Sequence, residues 1–242
     1  MMPPESERAV LLDFDGTLAI RDGLWGACVF EVLGELAPGH AATLEAIRAG
    51  LRDGFPWHRA GEPHPQLSDP EAWWAPILDL IAAALTGAGV ELELARHVAV
   101  ATRARFVDPA LGWRLFDDTL PALHRLRAGG WRCAVLSNHV PELPALVAGL
   151  GLAEHFDVVL SSATIGYEKP HPEAFRLALE AVGHPRQVWM IGDNPVADVG
   201  GAEAAGLRAI LVRREDGEAQ LRAADLTEAV TIVLGEAGRS AA

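Results

Sequence analysis

The chain is short of lysine, cysteine and long apolar runs, and each shortage removes a class of protein. Two cysteines, Cys28 and Cys133, are too few and too far apart for a thiolate metal site or a disulfide scaffold, and read as small buried apolar residues. The longest apolar candidate, Ile77 to Leu85, is interrupted by Asp79. It falls well short of the roughly 18 residues that cross a bilayer, so no membrane span is expected. The opening Met1-Met2-Pro3-Pro4-Glu5-Ser6-Glu7-Arg8 has no basic stretch leading into an apolar one. A secretory signal is therefore not expected, and the cytoplasm is the default location. Positive charge is also scarce: 20 basic against 33 acidic side chains give a net charge of −13. Such a field repels polyphosphate backbones and argues against nucleic acid as a partner. It also requires local cations wherever a small anion is to bind.

What is present is an ordinary globular composition, 50% hydrophobic and 22% charged. In 242 residues it suffices for one large domain or a core with a smaller companion, as monomer or homodimer. Short apolar runs bounded by turn residues recur at Ala9 to Phe14, Cys133 to Leu136, Val158 to Leu160, Val188 to Ile191 and Ala209 to Val212. They predict buried parallel strands. Helical patterns lie between them, such as Leu120, Leu123 and Leu126, or Phe175, Leu177, Ala178, Leu179 and Val182. Gly129-Gly130, Gly151, Gly183 and Gly206 stand where those helices should stop. The alternation predicts an α/β fold, a doubly wound parallel sheet.

One interval breaks the rhythm. Residues 21–107 hold no convincing strand but four helical segments, around Trp25 to Leu36, Ala41 to Leu51, Pro70 to Leu85 and Glu91 to Phe106. An insertion of this length directly after the first strand can form its own all-helical cap, leaving 1–20 and 108–242 as the core. Between its helices the four prolines from Pro56 to Pro70 indicate an ordered loop.

The chemistry concentrates at predicted strand ends. The first strand runs into Asp13-Phe14-Asp15-Gly16-Thr17. Two buried acids two positions apart cost several kcal/mol unless a cation or protons compensate them. The strand of Val188 to Ile191 likewise ends in Gly192-Asp193, with Asp198 close behind. Carboxylates from separate strands suit a hard divalent cation such as magnesium, whereas zinc would prefer histidine or thiolate. Nineteen of the 20 basic residues are arginine, and Lys169 is the single lysine. A compact ammonium retained against that background points to a tight site that a planar guanidinium does not fit. Lys169 precedes Pro170, which favours an extended backbone, and Pro172 is placed to open the next helix. Ser137-Asn138 closes the strand from Cys133 and offers a hydroxyl and helix-start amides to an anion; turn or capping duty is the plainer reading of that pair.

Taken in order and spacing, Asp13-Phe14-Asp15-Gly16-Thr17, Ser137-Asn138, Lys169-Pro170 and Gly192-Asp193 with Asp198 resemble the four motifs of the haloacid dehalogenase (HAD) superfamily, from Ala9 to about Arg214. The resemblance implies a Rossmann-like core with a mobile helical cap inserted after the first motif. It implies Asp13 as nucleophile and Asp15 as general acid and base, with Thr17 orienting Asp15. Mg2+ would be held by Asp13, the backbone oxygen of Asp15 and Asp193. Asp198 would support the metal shell or pair with Lys169. Phosphoryl oxygens would be bound by Thr17, Ser137, Asn138 and Lys169. The haloacid dehalogenases themselves lack the second aspartate, which Asp15 supplies here, and phosphonatases need a cap lysine that this chain lacks. The expected activity is magnesium-dependent hydrolysis of a small phosphorylated metabolite through an aspartyl-phosphate. A phosphoryl-transferring mutase and a non-catalytic phosphate- or metal-binding module are the alternatives. Substrate choice is expected from Arg21, Trp25, Trp57, His58, Arg59 and His139, while Trp73 and Trp74 read as core.

Overall fold

The structure is a computed structural model that describes residues 7–239, so the first six residues read above for a secretory signal lie outside it. Strand β1 (Arg8–Leu12) shows why its apolar run is unbroken. Val10 and Leu12 pack into one apolar layer and Ala9 and Leu11 into the other, and all four are fully buried. A parallel strand covered on both faces needs apolar residues at successive positions. It is joined by β4 (Arg132–Ser137), β5 (Val158–Ser161), β6 (Gln187–Gly192), β7 (Arg208–Val212) and the short β8 (Arg222–Ala223). The six form one sheet in the order β5-β4-β1-β6-β7-β8, every pairing parallel. Helices α5 (Thr119–Ala128) and α10 (Leu226–Arg239) bury Leu123, Leu126, Leu226 and Val230 against one face. On the other face α8 (Pro172–Ala181) and α9 (Gly201–Ala204) bury Phe175, Ala178 and Ala202. The doubly wound architecture read from the sequence is the one observed. Gly130, Gly151, Gly183 and Gly206 follow their helices in the left-handed conformation, φ 77–78°, as helix C-termini favour.

Four helices occupy the stretch after the first strand. They are α1 (Leu24–Leu36), α2 (Leu44–Gly50), α3 (Pro70–Gly87) and α4 (Leu92–Phe106). The segment expected from Ala41 starts instead at Leu44, because the Thr43 hydroxyl accepts the Ala46 N–H at 3.2 Å and fixes the start there. Asp69 starts α3 in the same manner, accepting from Glu71 and Ala72, with Pro70 in the first turn. Trp73, Trp74, Ile77, Ile81 and Leu85 make the buried stripe of α3, so the tryptophan pair is core as expected. Absent from the sequence reading is an antiparallel ribbon of β2 (Ala19–Arg21) and β3 (Trp113–Leu115), which brackets the four helices. Three-residue strands are too short for any period to register. Helices α6 (Leu143–Gly149) and α7 (Ser162–Ile165) complete the fold. No described helix is long and apolar enough to cross a membrane.

Gly50, at the end of α2, lies against α3 so closely that a Cβ there would sit 2.7 Å from Ala84 Cβ and 2.8 Å from its Cα. Helix propensity favours alanine over glycine by about 0.5–1 kcal/mol, but overlap with a backbone costs about 1–3 kcal/mol. Gly50→Ala is therefore expected to lower the urea midpoint, by about 1–2 kcal/mol of stability. A raised midpoint would show that the two helices can part cheaply.

Candidate active site

The turn after β1 is built around one carbonyl. Phe14 O accepts N–H bonds from Leu18 at 2.9 Å and Ala19 at 3.0 Å, and Gly16 N–H donates to Ala19 O at 2.8 Å. Gly16 has φ 78°, and a Cβ there would stand 2.7 Å from the Asp193 carboxylate carbon. Glycine thus serves twice, for the turn and for the close approach of an acid from the neighbouring strand. Arg213, just past β7, braces the turn from behind, donating to Thr17 O at 3.3 Å while paired with Asp118 at 2.5 Å.

Lys169 closes the site from the opposite edge. Its Nζ donates to Asp13 Oδ1 at 2.8 Å and to Asp198 Oδ1 at 2.5 Å, with 2% of the side chain exposed. The backbone that carries it is gripped by Asn138, whose Nδ2 donates to Lys169 O at 2.8 Å and whose Oδ1 accepts Lys169 N–H at 2.7 Å. Asp198 is freed for its role by Asn194, which accepts from Val196 and Ala197 and so caps the short helix Pro195–Gly200. The second oxygen of Asp198 accepts the Asn194 N–H at 2.9 Å. That carboxylate is fully engaged, and a Cβ at Gly192 would collide with it.

Charge is out of balance here: Asp13, Asp15, Asp193 and Asp198 share the site with one buried ammonium, which pairs with Asp13 and Asp198 alone. Burial first, then Asp13 and Asp193, push the Asp15 carboxyl well above the usual range. Burial, with Asp13 and Asp198, pushes Asp193 up to about 7. Burial works against the charge on Lys169, but the two carboxylates beside it prevail and hold it protonated. Oxygens of Asp13, Asp193 and Asp198 lie within 4.8 Å of one another. An all-oxygen set short of positive charge suits a hard cation. Since both oxygens of Asp198 are committed, Asp13 and Asp193 are the available direct ligands, with Asp198 behind them.

These groups open into a cavity of about 560 Å³ lined by Asp13, Asp15, Ser137, Asn138, Lys169, Asp193 and Asp198. The structure therefore brings together all but one of the site residues singled out in the sequence. The exception is Thr17, which is fully buried, does not line the cavity, and has a hydroxyl with no hydrogen-bond partner, so it neither faces a phosphoryl group nor orients Asp15. Asn138 lines the cavity as well, with its side chain gripping the Lys169 backbone. Of the specificity candidates, Trp25, Trp57, His58 and His139 line the cavity. Arg21 does not: it is buried and paired with Glu31 at 2.9 Å. Arg59 points to solvent beside Glu62. Cys28 and Cys133 are buried, which pushes their thiols up to about 11 and about 12, so both stay unreactive as read.

Other contacts had no sequence signal. His64, in the loop before α3, donates its N–H to Gly166 O at 2.8 Å and sets Nε2 3.0 Å from Glu168 Oε1, with both side chains buried. Trp74 Nε1 lies 3.0 Å from both oxygens of Glu142, which Arg103 approaches at 3.3 Å. They tie His64 to Glu168 across 104 positions of chain, and Trp74 and Arg103 to Glu142 across 68 and 39.

A family model described as haloacid dehalogenase-like hydrolase matches residues 7–206. The chain belongs to the haloacid dehalogenase-like hydrolases. This hydrolase is 37% identical to a phosphoserine phosphatase of Thermus thermophilus, over 91% of its own length and 97% of the relative's. It is 32% identical to the human haloacid dehalogenase-like hydrolase domain-containing protein 3, over 73% of its length and 71% of that protein's. Among solved structures, the L-2-haloacid dehalogenase of Xanthobacter autotrophicus superposes with a TM-score of 0.67 at 24% identity, covering 94% of this chain and 98% of the other. That likeness establishes the fold. The HAD-like hydrolase is therefore an enzyme with the Rossmann-like core its motifs implied.

His139 is boxed by Phe14, Phe106 and Trp113, with ring centroids 5.3, 5.9 and 5.5 Å away. Burial lowers its pKa to about 4, against a partial upward pull from Asp13. An unfolded-chain histidine titrates near 6.5, so the folded state refuses a proton that the unfolded state accepts. The stability this group contributes is complete above about pH 6.5 and drains away as pH falls toward 4, a loss of roughly 3 kcal/mol at most. In His139→Phe the decline in stability between pH 6.5 and 4 is expected to be shallower than in the parent, measured by urea midpoints along a pH series. Parallel slopes would show that this imidazole is not shielded.

Proposed function

We propose that this hydrolase is a magnesium-dependent phosphatase that cleaves a small phosphate monoester through an aspartyl-phosphate on Asp13. The observation that carries the reading is the Lys169 ammonium 2.8 Å from Asp13, in a cavity shared with a second carboxyl, Asp15, whose pKa is raised. Asp13 supplies the attacking oxygen. Lys169 orients that carboxylate and draws the phosphoryl oxygens toward it, helped by Ser137 at the end of β4. Asp15, whose carboxyl is pushed toward its protonated form by burial and then by Asp13 and Asp193, donates its proton to the departing alkoxide as the phosphorus–oxygen bond breaks. The resulting carboxylate then takes a proton from the water that attacks the acyl phosphate. Mg2+ bound by Asp13 and Asp193, with Asp198 in support, supplies charge neutralisation between the nucleophile and the phosphate dianion. The relatives named as phosphatases support the reading, and Asp15 separates it from dehalogenation, which has no leaving alkoxide to protonate. We assign residues 21–107 as the cap over this cavity and 1–20 with 108–242 as the core.

The test is release of inorganic phosphate from a panel of phosphate monoesters by purified protein. Activity is expected to vanish with EDTA and return with Mg2+. Asp13→Asn is expected to fall to background, and Asp15→Asn to lose roughly 10²–10⁴-fold in turnover. Activity that survives in Asp13→Asn, or that ignores EDTA, would defeat the assignment. A chain that binds Mg2+ and phosphate without turnover would be the binding module instead.

A further inference from the structure

Apart from its acids and Lys169, the cavity is lined largely by rings and, among the described residues, by no other lysine or arginine. The insertion contributes Leu24, Trp25, Trp57, His58, Ala60 and Phe106 to that wall. Trp25 stacks on Phe106 at 3.9 Å and 12°, Phe55 stacks on Trp57 at 4.6 Å and 9°, and Trp25 approaches Phe55 at 4.9 Å. The result is one continuous bank of aromatic side chains fixed by one another. His58 Nδ1 accepts the Phe55 N–H at 3.3 Å and stands 3.6 Å from Asp53. That nitrogen is therefore engaged within its own loop. The arginines that stand near in sequence, Arg21 and Arg59, are turned away to Glu31 and Glu62. Among the described lining residues Lys169 is the sole lysine or arginine, and it is committed to Asp13 and Asp198.

This wall discriminates by chemistry. A carboxylate on the leaving group would lose its hydration beside four acids with no uncommitted lysine or arginine to pair with it, a large penalty. An uncharged planar group would bury apolar surface and lie against indole faces, a gain. A cavity of about 560 Å³ is within the range that encloses drug-sized ligands, with room well beyond a phosphate and a short carbon chain. We infer that the substrate is a phosphate monoester whose leaving group is uncharged and planar, held against Trp25 and Trp57. The inference deepens the phosphatase reading and rests on it. It also separates this enzyme from the phosphoserine phosphatase it resembles, because phosphoserine carries a carboxylate.

The experiment compares phenyl phosphate with 3-carboxyphenyl phosphate, whose leaving groups are closely matched, and with phosphoserine, all on the magnesium-loaded unmodified protein. Phenyl phosphate is expected to exceed both carboxylated esters in kcat/KM by about tenfold or more. Trp57→Ala is expected to raise KM for phenyl phosphate roughly three- to tenfold while moving that for ethyl phosphate less than about twofold. Equal or faster turnover of the carboxylated esters would overturn the inference, as would an equal KM rise for phenyl and ethyl phosphate. If no ester is cleaved, the phosphatase reading has failed, and calorimetry with phenylphosphonate and 3-carboxyphenylphosphonate still decides the wall. Preference for the uncharged phosphonate supports it, and no preference overturns it.

Discussion

Lys169 is buried between Asp13 and Asp198, and the arrangement around it follows from that single ammonium being outnumbered. Four carboxyl groups converge where one positive charge is fixed, so the site is held together by the attraction of Lys169 and held open for chemistry by what that attraction leaves unpaid. Three of the acids, Asp15, Asp193 and Asp198, rise in pKa, from burial first and from the neighbouring carboxylates besides. Their residual repulsion is what a divalent cation and a phosphoryl group with it would relieve. A protein of net charge −13 can thereby draw an anion into its interior.

The sheet explains why the charges meet. With the order β5-β4-β1-β6-β7-β8, the chain runs outward from β1 through β4 to β5, then crosses back to β6 on the other side. The carboxyl ends of β1, β4 and β6 lie side by side at that reversal, where open α/β sheets form their ligand crevice. Asp13 follows β1, Ser137 ends β4 and Asp193 follows β6. Gly16 and Gly192 allow the final approach, since side chains at either position would occupy the space taken by Asp193 and Asp198.

The strands and the convergence of acids were legible because both are written in local patterns, buried apolar runs followed at once by aspartates. The solitary lysine was legible because composition made it improbable as ordinary surface charge. Less visible was what the neighbours of those residues do. Asn138 sits in a motif that resembles an anion site, yet its amide matches the two backbone groups of Lys169, 31 positions away, and no local pattern encodes that. Thr17 shares the first motif with Asp15 but follows a glycine whose positive φ turns the chain, so its side chain enters the core rather than the cavity. Arg21 was read as a candidate for contacting substrate, but the ribbon of β2 and β3 buries it against Glu31. Three-residue strands carry too little periodicity to warn of it.

The buried pair of His64 and Glu168 joins the loop before α3 to the loop that carries Lys169. Glu168 adjoins Lys169, so the loop that presents the ammonium is held on one side by Asn138, just past β4, and on the other by His64 from the loop before α3. Pro65 reinforces the junction, since a Cβ at Gly166 would lie 2.8 Å from its Cα. A carboxylate this deeply buried, with one oxygen lacking any partner, is costly to leave alone. Withdrawing His64 without admitting water would strand it. Separating the pair with water admitted would therefore exchange one hydrogen-bond partner for solvent, at a modest net cost, rather than lose a bond outright. The same displacement would remove a support from the backbone that aims Lys169 at Asp13. The loop that carries Lys169 is thus tied through His64 to the same stretch of chain that supplies the aromatic wall, and through Lys169 to the Asp13 carboxylate.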